Sequence, residues 1–112
     1  MLVLFILMIV DMKEERGRMD RTECAVAFKA LSDETRLEIV EMLSHGELCA
    51  CELLKHLDIS QPTLSHHMKK LTACGLVEGT KRGSWVHYRL NKIAVDSLLA
   101  SLEDFTSDDH RL

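Results

Sequence analysis

With 112 residues, one proline and 46% apolar content, the chain suits a single compact domain and leaves no room for a multidomain enzyme. Its 14 lysines and arginines against 18 aspartates and glutamates give a formal charge of −4, so nothing in the total points to a partner held by bulk positive charge. The total hides a pattern: residues 1–60 hold 7 basic and 12 acidic side chains, residues 61–92 hold 6 and 1, and residues 93–112 hold 1 and 5, which sets a basic island of +5 inside an acidic chain.

Met1 to Val10 are uninterruptedly apolar, yet the run stops at Asp11, and a helix needs about 20 such residues to cross a bilayer. No positive charge precedes the run and no small-residue cleavage site follows it, so it does not read as a secretory signal. Met12 and Met19 favour a translation start further down over a membrane anchor, because a half-length helix holds a membrane only weakly. Residues 1–19 are therefore taken as an extension, 20–104 as the domain and 105–112 as an acidic tail.

Asp20 with Glu23 three residues on is a helix start, and Cys24, Ala27, Phe28 and Leu31 then repeat on one face. Ser32 is placed to cap a second helix, with Asp33 and Glu34 in its first turn and Leu37, Val40 and Leu43 as its apolar positions; His45 and Gly46 close it. Glu47–Leu57 reads as a short third helix with Leu48, Leu54 and Leu57 toward the core, and Asp58 and Ile59 turn into Ser60, the cap of a fourth. That helix runs to Cys74 and stops at Gly75, with Leu64, Met68 and Leu71 on one face and polar residues on the other. From Leu76 to Leu90 the period becomes two, broken by Lys81-Arg82-Gly83-Ser84, which predicts a β-hairpin with a basic tip. Val95, Leu98, Leu99 and Leu102 give a last helix. The expected fold is mainly α with a small β-hairpin, a winged helix-turn-helix in the order α-α-α-α-β-β-α.

Gln61, Thr63, Ser65 and His66 begin the fourth helix with side chains suited to base edges and phosphates, Lys69 and Lys70 would follow the backbone, and Lys81 and Arg82 arm the wing. Any solvated helix face carries similar residues; the local charge of +5 tips the reading toward double-stranded DNA.

The four cysteines, at 24, 49, 51 and 74, suit free thiols in a reducing compartment, since a bridge between positions 49 and 51 would be strained inside a helix. On a regular helix residues two apart diverge by about 200°, so Cys49 and Cys51 are expected to grip one soft ion only by distorting the segment under the reading helix. Buried cysteines are often mere small hydrophobes, and Cys24 and Cys74 fit that description better than the pair does. A thiol oxidoreductase would want C-x-x-C after a strand, which argues against an enzyme. The basic island argues against a metal buffer with no role on DNA.

Leu31-Ser32-Asp33-Glu34-Thr35-Arg36-Leu37, Glu47-Leu48-Cys49-Ala50-Cys51-Glu52-Leu53, Ser60-Gln61-Pro62-Thr63-Leu64-Ser65-His66-His67 and Trp85-Val86-His87-Tyr88-Arg89-Leu90 together resemble the arsenical-resistance repressor (ArsR/SmtB) family, over about residues 20–103. The resemblance implies a cytoplasmic winged-helix repressor with no organic cofactor, a homodimer through its first and last helices, that leaves operator DNA when a thiophilic metal or metalloid binds. It implies Cys49 and Cys51 as ligands of arsenite or antimonite, the inducer. Many members of the arsenic-responsive branch have a third cysteine where Leu54 stands here. The third position is left to a vacancy, a small thiol, or Cys24 of either subunit. Cadmium and lead sensors of this fold add cysteines in an N-terminal extension, and residues 1–23 contain none; residues 92–103 hold no histidine for a zinc or nickel site on the last helix. A redox or persulfide sensor using the same thiols is the alternative.

Overall fold

The computed structural model describes residues 1–6 and 17–107. The end of the apolar run, the charged stretch 11–16 and most of the acidic tail lie outside them; residues 1–6 are exposed. The order is α1 Arg21–Leu31, α2 Glu34–Leu43, β1 Leu48–Cys49, α3 Ala50–His56, α4 Gln61–Ala73, β2 Val77–Arg82, β3 Trp85–Leu90 and α5 Lys92–Phe105. The three strands form one antiparallel sheet in the order β1-β3-β2.

The capping box expected at α1 is present: the Asp20 carboxylate accepts from the Glu23 amide at 2.7 Å, and Glu23 accepts from the Asp20 amide at 3.2 Å. The start of α2 differs from expectation. Asp33, not Ser32, is its cap and accepts from the Arg36 amide at 3.0 Å. Ser32 is spent on the previous helix, its hydroxyl donating to the Lys29 carbonyl at 2.7 Å.

The inward line of α2 also differs. Leu37 is 50% exposed, while Arg36, Ile39 and Leu43 are buried. Arg36 can take an inward place because its guanidinium meets hydrogen-bond acceptors there, which removes most of the cost of burying a charge.

The third helix begins later than its sequence suggests. Leu48 and Cys49 form β1, paired with Tyr88 and His87 of β3, and α3 covers only Ala50–His56. Pairing satisfies backbone groups along the second edge of β3. On the other edge, β2 runs in register with β3 from Val77↔Leu90 to Arg82↔Trp85, so Lys81 and Arg82 belong to the ladder and the turn is Gly83-Ser84. Gly83 has φ +64°, a conformation that a two-residue hairpin favours and that glycine adopts without strain.

The main core packs Ile39 and Leu43 of α2 and Leu53 of α3 against Leu64, Met68 and Leu71 of α4. Each such side chain contributes about 1.5–3 kcal/mol by leaving water. A second cluster joins Cys24 and Ala27 of α1, Leu76 before the wing and Leu98 of α5. Ser101 fastens the same seam, its hydroxyl bonded to both the carbonyl and the amide of Met19 at 2.9 and 3.0 Å. Phe28, Leu99 and Leu102, expected on apolar faces, do not enter either cluster and stay exposed with Val26, Ile93 and Phe105. Among the described residues no helix is long and apolar enough to cross a membrane.

Candidate DNA-facing surface and thiol pair

Ser60 starts α4: its hydroxyl accepts from the Thr63 amide at 3.3 Å and meets the Thr63 hydroxyl at 2.9 Å, and Pro62 sits in the first turn, where no backbone N–H is needed. Burial of Leu64, Met68 and Leu71 fixes the rotation of the helix and leaves Gln61, Thr63, Ser65, His66, Lys69 and Lys70 exposed. Lys81 and Arg82 are exposed on the wing. Arg82 is not free, however. Its guanidinium forms a two-pronged pair with Glu47 at 3.0 and 3.2 Å, tying the wing to the residue before β1. No acidic side chain pairs with Lys69, Lys70 or Lys81 among the described residues.

Cys49 and Cys51 are arranged otherwise than expected. They are joined as a disulfide with their Cα atoms 5.3 Å apart, while Cys24 and Cys74 are free. The expectation that these sulfurs face apart assumed that both lie within a helix. Cys49 instead has the extended backbone of an N-cap, φ −79° and ψ 158°, and only Cys51 is helical, so the sulfurs meet without unwinding α3. The Cys49 sulfur also accepts from the Glu52 amide at 3.3 Å, and Glu52 accepts from the Cys49 amide at 3.0 Å. In the reduced form, two sulfurs at this spacing make a chelating pair for a soft, thiophilic ion.

Among the described residues no three His, Cys, Asp or Glu side chains converge to complete a three-ligand set. Cys24 is buried in the α1–α5 seam with its thiol toward the Met19 carbonyl at 3.7 Å. Cys74 caps α4 and donates to the Leu71 carbonyl at 3.3 Å.

From the sequence His67 reads as a shoulder of the core beside DNA-facing His66, and Arg36 stands only inside a motif; their connection is not visible there. Arg36 donates through Nε to the Ala30 carbonyl, and its Nη1 lies 3.1 Å from His67 Nδ1. Asp33 Oδ2 is 3.8 Å from the same ring nitrogen. The Arg36 amide bond, helped by the charges of Arg36 and His67 and opposed by partial desolvation, holds the Asp33 carboxyl below its ordinary value of 3.8. The available signal was a charged residue at an i, i+3, i+7 position of an otherwise apolar line.

A short helix, a turn and a second helix with its polar, basic face in solvent, followed by a β-wing, define the winged-helix class of DNA-binding transcriptional regulators. Residues 33–79 match the family described as "Bacterial regulatory protein, arsR family". The arsenical resistance operon repressor of Staphylococcus aureus is 45% identical over 93 residues, 83% of this chain and 89% of that protein. The cadmium resistance transcriptional regulatory protein CadC of Listeria innocua is 38% identical over 88 residues, 78% of this chain and 74% of that protein. The solved structure of an ArsR-like transcriptional regulator from Rhodococcus sp. RHA1 is similar with a TM-score of 0.69 at 36% identity, covering 76% of this chain and 80% of that one. The chain belongs to the ArsR family of transcriptional regulators: it is a DNA-binding repressor and not an enzyme.

Proposed function

We propose that this is a cytoplasmic, homodimeric repressor that leaves operator DNA when arsenite or antimonite binds the thiolates of Cys49 and Cys51. The observation that carries the reading is the position of Cys49, whose main chain pairs with His87 of the wing and whose sulfur caps the first helix of the helix-turn-helix. An ion held by both sulfurs takes the Cys49 sulfur away from the Glu52 amide and pulls on wing and helix together. In the reaction, arsenous acid exchanges two hydroxyls for two sulfurs, and the thiol protons leave as two waters. The polar face of α4, with Gln61, Thr63, Ser65 and His66, meets the major groove, and Lys69, Lys70, Lys81 and Arg82 meet phosphates. The apolar side chains left exposed on α1 and α5, Val26 and Phe28 with Leu99, Leu102 and Phe105 among them, supply a dimer face. Two copies of α4 then meet half-sites about 10 bp apart, or a small multiple of that. The third position is empty, filled by a small thiol, or supplied by Cys24 of either subunit.

The bridged pair favours a second reading, a thiol redox sensor in which peroxide takes two electrons from Cys49 and Cys51, leaving one disulfide and two waters. Fluorescence anisotropy of reduced protein on an operator duplex separates the readings. Release by stoichiometric arsenite, with peroxide far less effective, is the expected outcome; release by peroxide alone replaces the metalloid reading with the redox one.

A further inference from the structure

Arg36 is the one buried charged side chain among the described residues. It stands where three helices meet. Its Nε donates to the carbonyl of Ala30, next to the last residue of α1, and its Nη1 reaches His67 Nδ1 on α4 at 3.1 Å. The His67 side chain is only 12% exposed, although the residue before it, His66, faces solvent. One helical turn to either side of His67 lie Thr63 and Lys70.

A guanidinium can only donate, so His67 Nδ1 must accept and the ring proton must sit on Nε2. Around the ring, α2 contributes Arg36 and Asp33, α1 contributes only the neutral Ala30 carbonyl to the network, and α4 contributes His66 with its ring centre 6.1 Å away. We infer that the Arg36–His67 bond is a brace that sets the reading helix α4 against α1, making His67 a positioning residue for DNA binding. The inference rests on the reading that α4 contacts DNA and α1 joins the dimer, because the brace then sets the separation of the two reading helices.

The test uses a duplex that the parent protein itself enriches from a random-sequence pool. His67→Asn keeps an acceptor close to the position of Nδ1, and His67→Phe keeps the bulk without one. His67→Asn should bind like the parent and His67→Phe about tenfold more weakly, the loss of roughly one hydrogen bond. Long-range nitrogen spectra of the parent should show His67 as the Nε2–H tautomer. An Nδ1–H tautomer, or a folded His67→Phe protein that binds like the parent, overturns the brace. If His67→Phe does not fold, the tautomer decides. Failure of any duplex to be enriched overturns the DNA reading, and the positioning role with it, while the tautomer still reports the contact.

Discussion

Cys49 combines three tasks that its sequence position does not announce: a backbone partner for His87, a sulfur cap for the Glu52 amide, and one half of a thiol pair. The C-x-C spacing was visible, and so was its thiophilic chemistry. What hid the geometry was a helix start displaced by three residues, from Glu47 to Ala50, which moves Cys49 out of the helix and reverses the argument from helical periodicity. Asp33 shows the same sensitivity, since a one-residue shift of the cap turned an ordinary first-turn acid into the anchor of α2. Its carboxyl is held below the ordinary value of 3.8. A group depressed in the folded state contributes stability that is present above its unfolded value and lost as pH falls through the folded one. Asp33→Asn, which can still cap, should therefore match the parent near neutrality and show a shallower loss of stability below about pH 4. Urea melts across that range check it, and identical acid limbs for the two proteins would contradict the assignment.

At the scale of elements, α4 was legible because three independent signals agreed: a Ser60 cap with Pro62 after it, an apolar line at 64, 68 and 71, and Gly75 at the end. The hairpin was legible from its change of period. β1 was not, because two residues carry no period and its partner strand lies some 40 positions on, at Tyr88 and His87. The Glu47–Arg82 pair was equally hidden, since it joins segments that only the sheet brings together. That pair changes the electrostatic expectation for the wing. Lys69→Ala and Lys81→Ala should each flatten the dependence of log affinity on log salt by about one unit. Arg82→Ala should flatten it less, because its charge is already shared with Glu47. Titrations at several salt concentrations measure this; a slope unchanged in Lys81→Ala would remove the wing tip from the interface.

Across the whole molecule, the two cores divide the labour. The main cluster builds the helix-turn-helix, and the second binds α1 to α5. Sequence periodicity located both apolar helices but could not say which side of each is covered within one chain, since the same stripe serves a core or a partner. The structure leaves Phe28, Leu99, Leu102 and Phe105 uncovered, the face that the proposed dimer would cover. Charge is divided as sharply, with the basic island running from α4 through the wing to the first residue of α5 and the acidic segments on either side of it. A ligand at Cys49 and Cys51, as proposed, would sit where these parts meet, between the strand that holds the wing and the helix that precedes α4.

The central claim is that this pair of sulfurs connects the metalloid to DNA release. The most direct measurement is an arsenite titration of the reduced parent and of the Cys49→Ser, Cys51→Ser double variant, each bound to the same labelled operator. Serine at position 49 retains an acceptor for the Glu52 amide, so the variant should bind DNA like the parent. The account predicts release of the parent and retention of the variant at arsenite concentrations that empty the parent complex. Equal release of both would contradict it and place the sensing site elsewhere in the chain.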